Sequence, residues 1–146
     1  MNRTIVVING PNLNLLAERQ PEIYGSLSLG EIEQRLRTQA SARGYALEFH
    51  QSNHEGEIVE WLQRYRRDVA GIIINPAAYS HTSGAILDAL LTVTVPVVEV
   101  HLSNIYRREE FRRQSLTARA CVGLISGLGP AGYDLALTYL IDSFRG

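Results

Sequence analysis

Five short runs of aliphatic and β-branched residues recur along the chain, each followed by a stretch with helical periodicity or helix-capping signals. This alternation constrains the fold more than any other feature, because parallel strands need long crossovers and an intervening helix supplies them. The runs place strands at Thr4–Ile8, Tyr45–Phe49, Val69–Ile74, the segment from Pro96 to Asn104, and Ala120–Ser126. Between the first two, Ser28 stands as a helix N-cap with Glu31 three residues on, the pattern of a capping box. Leu29, Ile32, Leu36 and Ala40 then form one apolar face, and Gly44 ends the helix. Glu55–Arg67 is amphipathic through Ile58, Leu62 and Tyr65, with Trp61 read as packing. Helices follow at Ser83–Leu91, at a short basic segment near Glu109–Gln114, and at Ala131–Phe144, where Leu135, Tyr139 and Phe144 are core candidates.

Crossovers between parallel strands are right-handed, so helices cover both faces of the sheet. The expected architecture is a flavodoxin-like three-layer α/β sandwich whose five-stranded parallel sheet has the order 2-1-3-4-5, in one domain spanning residues 1–146. In such sheets ligands bind beyond the carboxyl ends of the strands. The unusual polar residues gather at those ends: Asn9 and Asn12 after the first strand, Ser52, Asn53 and His54 after the second, Asn75 to His81 after the third, and Glu99 to Asn104 on the fourth.

The fourth strand is the most informative. Strand side chains alternate faces, so Glu99, His101 and Ser103 share one face while Val98, Val100 and Leu102 share the other. Polar groups in a sheet covered on both sides cost free energy unless paired, and a glutamate two residues before a histidine can orient and charge-stabilise its ring. A strand end emerging into solvent would explain any one of these residues; the three together point to a site.

Composition then removes several chemistries. All fourteen basic residues are arginine. Lysine Schiff-base chemistry, a pyridoxal-phosphate linkage and a phosphate-loop lysine are therefore excluded, because each needs an ε-amine. A net charge of −1 gives no basic field for nucleic acid or an anionic membrane. Gly10-Pro11-Asn12-Leu13-Asn14 is not a dinucleotide-binding glycine loop. Cys121 stands alone in an expected buried strand. His50, His54, His81 and His101 lack close ligand spacing, so no metal is expected, and His50 reads as structural. The apolar runs are strand-sized and Met1 leads directly into a strand, so the expectation is a cytoplasmic protein without a leader or membrane span.

The remaining signal is acid–base. His101, oriented by Glu99, can donate a proton to a leaving oxygen. In the loop-like segment Arg19 to Gly25, a guanidinium five residues before Tyr24 could favour a phenolate base, although a surface tyrosine on a loop is the commoner case. Asn75 before Pro76 could merely turn the chain, Arg112 could belong to a solvated basic face with Arg107, Arg108 and Arg113, and His81 could cap the next helix.

Six segments, in order, carry a resemblance: Ile8–Asn14, Arg19–Gly25, Gln51–Gly56, Ile74–Ser83, Val98–Asn104 and Arg108–Arg112. With them, from about Ile5 to Phe144, the chain resembles the type II 3-dehydroquinate dehydratases of the shikimate pathway. The resemblance implies that Tyr24 removes a proton next to the ketone, that Arg19 activates it from a lid, and that Asn12 holds a water stabilising the enolate. It implies His101 as the acid that protonates the departing hydroxyl, positioned by Glu99. Substrate contacts are implied for Asn75, His81, Ser103 and Arg112, with the backbone N–H groups of Leu102 and Ser103 gripping a carboxylate. It further implies that Asp88 reaches a neighbouring subunit's site within a dodecamer of trimers, and that the elimination needs no cofactor. Leu87, where a basic residue is usual, and Gly84, where a branched one is commoner, depart from the pattern on the helix of Asp88. A carboxylate-binding module without turnover would be the competing reading; it would need neither the lid base nor the acid.

Overall fold

The structure, a computed structural model, describes residues 2–24 and 26–143. Met1, Gly25 and Phe144, named above, lie outside the described residues. Strands β1 (Thr4–Asn9), β2 (Ala46–Gln51), β3 (Gly71–Asn75), β4 (Val97–His101) and β5 (Gly123–Ser126) form one parallel sheet of order 2-1-3-4-5. Helices α1 (Pro21–Tyr24), α2 (Leu29–Ala42), α3 (Glu55–Arg64), α4 (Gly84–Leu91) and α5 (Ala131–Ser143) connect and cover it.

The central strands are apolar on both faces because both faces are covered. On β1, Ile5 and Val7 enter one core with residues of α2 and α5, while Val6 and Ile8 enter a second with α3 and α4. β3 and β4 divide the same way: Ile73, Val98 and Val100 on the first side, Ile72, Ile74 and Val97 on the second. The capping box forms as expected, with the Glu31 N–H donating to Ser28 Oγ and the Ser28 N–H to Glu31 Oε1. Ser83, not His81, caps α4, its Oγ accepting from the Ile86 N–H.

The last helix is in the expected place but turned. Leu135 and Tyr139 are each half exposed, whereas Tyr133, Ala136, Leu137, Leu140 and Ile141 are buried. The segment is apolar nearly all round, so its periodicity fits two stripes, and packing under β3 and β4 selects the one that begins at Tyr133. The fifth strand is also shorter than its apolar run. Thr117–Ala120 forms a 3-10 turn, and half-buried Cys121 lies between that turn and β5 rather than in a buried strand. The side chains of Ser115 and Thr117 tie this segment to Glu99, which holds it out of the sheet until Gly123. The basic segment after β4 is only a 3-10 turn at Glu110–Arg112, and α3 ends at Arg64 before a left-handed Asp68 (φ 64°).

Register brings the ends of the strands together. Asn9 lies opposite Gln51 on β2 and Asn75 on β3. Gly10 is required here, since a Cβ at that position would stand 2.4 Å from the Pro76 carbonyl oxygen.

Candidate active site

Beyond these strand ends lies a cavity of about 120 Å³. Loop residues after β1, the short helix α1, the turn after β3 and the segment after β4 all contribute to its wall. Asn12, Arg19, Tyr24, Asn75, His81, His101, Leu102, Ser103 and Arg112 line it together. Glu99 stands behind His101, fully buried, and Asp88 lies exposed on α4, outside the cavity.

His101 is held by one edge. Its Nε2 is 2.7 Å from Glu99 Oε2, and both side chains are buried. Ser115 Oγ donates to the same carboxylate at 2.5 Å, and Thr117 Oγ1 donates to its other oxygen. Three donors thus converge on a carboxylate that has no access to water, which compensates its burial. With Nε2 turned to Glu99, Nδ1 is the ring nitrogen left for the cavity. His81 stacks against His101 with ring centroids 6.3 Å apart, and its Nδ1 donates to the Gln114 carbonyl at 2.7 Å. Burial holds His81 below the usual imidazole range; the neighbouring His101 and Arg112 act in the same direction, against the Gln114 hydrogen bond and Glu99. His81 is therefore a neutral ring whose Nε2 can accept a hydrogen bond.

Arg19 and Tyr24 come together, but the contact differs from the simple expectation. The Arg19 guanidinium lies over the ring face, 4.9 Å from its centroid. The hydrogen bond to the phenol oxygen comes from Arg108 Nη1 at 3.0 Å, and the same nitrogen donates to Ser103 Oγ at 3.2 Å. In the sequence Arg108 is one more arginine in a basic stretch, and nothing in the spacing distinguishes it from Arg107 or Arg113. Arg108 also lines the cavity. Pro21–Tyr24, read as loop, is one turn of helix that directs Tyr24 toward these partners.

Asn12 adopts a left-handed backbone (φ 69°) pinned by its N–H to Asn53 Oδ1 at 2.9 Å. Asn75 both turns the chain and faces the cavity: its Oδ1 accepts from the Ala77 N–H at 3.1 Å. Arg112 joins the cavity while paired with Glu109 at 2.8 Å. By contrast His54 is exposed at the start of α3 and takes no part, and His50 hydrogen-bonds Tyr65 and stacks on Trp61, a structural arrangement.

Among the described residues, three arginines and no carboxylate line the cavity wall. It therefore suits a small anionic ligand, with a phenol on one side and a carboxylate-backed imidazole on the other, the two groups a proton-transfer reaction needs. Among the described residues, no group of three or more His, Cys, Asp or Glu could hold a metal ion, and no helix is long and apolar enough to cross a membrane.

The chain is similar to known proteins over almost its whole length. It is 50% identical over 145 residues to 3-dehydroquinate dehydratase 2 of Pseudomonas aeruginosa, covering 99% of this chain and 98% of that one. Identity to the 3-dehydroquinate dehydratase of Aliarcobacter butzleri is 58% over 138 residues, covering 94% of this chain and 84% of that one. Among solved structures, the type II dehydroquinase of Propionibacterium acnes superposes with a TM-score of 0.93 at 40% identity, covering 98% and 99% of the two chains. A 3-dehydroquinate dehydratase-like protein from Bifidobacterium longum superposes less closely, with a TM-score of 0.71 at 28% identity and 97% of each chain covered. The family model for class II dehydroquinase matches residues 3–141, and the chain belongs to that family.

Proposed function

We propose that this chain is a single catalytic domain that dehydrates 3-dehydroquinate to 3-dehydroshikimate, as a step of the shikimate pathway toward chorismate and the aromatic amino acids. The observation that carries the reading is the meeting of Tyr24 and the Glu99-backed His101 in one arginine-rich cavity. A binder would need the arginines alone. Tyr24, as phenolate, takes a proton from the carbon next to the ketone, and the electron pair moves onto the ketone oxygen to give an enolate. Asn12 stabilises that oxygen through a water. The enolate collapses, the carbon–oxygen bond to the hydroxyl breaks, and His101 protonates the leaving oxygen from Nδ1, so that water departs. The ring alkene and ketone are then conjugated.

The guanidiniums of Arg108 and Arg19 lie against Tyr24, one on its oxygen and one over its ring, and hold the phenol toward the substrate. Glu99 fixes the orientation of the His101 ring through its bond to Nε2, which leaves Nδ1 for the leaving oxygen. Asn75, His81 as an acceptor, Ser103 and Arg112 hold substrate, with the Leu102 and Ser103 backbone on its carboxylate. No cofactor enters the sequence of steps. The protein works in the cytoplasm as a dodecamer of trimers, with Asp88 of one subunit reaching the site of the next.

Product analysis by NMR after incubation with 3-dehydroquinate and a chelator tests the chemistry. Quantitative formation of 3-dehydroshikimate, with the protein mass unchanged after borohydride quench, is expected. No product, or a reduced covalent adduct, would overturn the reading. Sedimentation and activity of Asp88→Ala test the assembly: a fully active monomer would refute the shared site.

A further inference from the structure

Tyr133 sits on α5 with no exposed surface, its hydroxyl against the ends of β1 and β3. A phenylalanine would fill the same space, so the buried hydroxyl needs an explanation. Its oxygen takes part in a chain of hydrogen bonds that crosses the core. Asn9 Nδ2 donates to the His50 carbonyl at 3.0 Å; Tyr133 Oη donates to Asn9 Oδ1 at 2.7 Å; Asn75 Nδ2 donates to Tyr133 Oη at 3.0 Å; and the Ala77 N–H donates to Asn75 Oδ1 at 3.1 Å. Both ends of this chain are backbone groups of fixed polarity. A carbonyl can only accept and an N–H can only donate, so every intermediate bond has one permitted direction. The phenol must give its proton to Asn9, and it must therefore accept from Asn75.

We infer that Tyr133 is a positioning residue for the site: with the Ala77 N–H holding Oδ1, its phenol oxygen holds Nδ2, so that the Asn75 amide is fixed at both ends and its NH2 group keeps one hydrogen for the cavity. A free asparagine amide can present either group, because the two are nearly equal in shape. Locked from the core, Asn75 offers a donor to an oxygen of the ligand with little reorganisation on binding. Burial keeps the Tyr133 hydroxyl well above the usual phenol range, so it stays protonated and the direction of the chain holds across the working pH.

This inference rests on the reading that Asn75 contacts substrate, and the experiment separates the two. Steady-state kinetics are measured for Asn75→Ala, Tyr133→Phe and the double variant. Losing one oriented hydrogen bond should raise KM about tenfold in Tyr133→Phe while kcat stays within about threefold. The double variant should be no worse than Asn75→Ala, since Tyr133 acts only through Asn75. A loss of thermal stability alone, with KM unchanged, is what a purely structural hydroxyl gives, and it would overturn the inference. An unchanged KM in Asn75→Ala would instead remove the substrate contact itself. Should Tyr133→Phe not fold, Asn9→Ala decides. It keeps the phenol but leaves its proton without the Asn9 acceptor, which loosens the hold of the Tyr133 oxygen on Asn75 Nδ2, so KM should rise about threefold or more; a wild-type KM there would overturn the inference.

Discussion

Tyr24 and Arg108, 84 residues apart, meet in a hydrogen bond of 3.0 Å, and that bond ties the short helix α1 to the segment after β4. The same guanidinium nitrogen reaches Ser103, so Tyr24 and Ser103 share one cation. Neither residue could reach the other without the sheet order that places the ends of β1 and β4 on one side.

Tyr24→Phe keeps the ring under both guanidiniums and removes only the oxygen. Turnover should fall on the order of a hundredfold or more, the scale of a lost general base, with KM changed far less. Steady-state kinetics check this. Near-normal turnover would move the base to another group, and neutral His81 would be the first to consider.

Thr117→Val keeps the shape of a side chain that is fully buried and removes one of the donors on Glu99. A buried acceptor that loses a partner costs about 1–3 kcal/mol, so denaturant unfolding should register a drop of that size. Turnover should fall severalfold, because the carboxylate that orients His101 is less firmly held. Unchanged kcat in a destabilised protein would limit Thr117 to a role in folding.

The sequence made the sheet legible because its information is local. A valine- or isoleucine-rich run buried on both faces and a Ser28–Glu31 capping box are each decided within a few residues. Sites at strand ends were legible for the same reason, since Asn9, Asn75 and Glu99–His101 interrupt runs that should be apolar. What escaped depends on long-range packing. Arg108 acquires its role only by meeting Tyr24 across the cavity. Leu135 and Tyr139 read as core because α5 offers two apolar stripes, and the sheet chooses between them. The Ala120–Val122 stretch looks like strand until the demand of Glu99 for donors holds the preceding residues in a 3-10 turn.

His50 and His81 make stability depend on pH. Burial lowers both, and the ordinary value near 6.5 returns on unfolding. As pH falls through that value the unfolded chain binds more protons than the folded one, so the unfolding free energy falls with it. Thermal midpoints should therefore decrease between about pH 7.5 and 5.5, and the combined His50→Gln/His81→Gln protein should show a flatter dependence over that range. An equally steep dependence in the double variant would assign the effect to other groups.

Gly84 opens α4 at an exposed position where an added Cβ would meet nothing within 4 Å of this chain. Gly84→Ala should raise stability by a few tenths to about 1 kcal/mol through the unfolded state and helix propensity. Calorimetry with sedimentation checks it. A destabilised protein with a smaller oligomer would show that another subunit packs closely against this turn.

In the proposed mechanism one chain supplies both the proton acceptor and the proton donor for eliminating water from a cyclic hydroxy-ketone acid. The most direct measurement follows ultraviolet absorbance of purified protein mixed with 3-dehydroquinate, with no metal or nucleotide added. A steady rise is expected as the conjugated enone forms, abolished in a Tyr24→Phe/His101→Ala double variant. A folded wild-type protein that binds 3-dehydroquinate and produces no absorbance change would contradict it and leave a binding module in place of an enzyme.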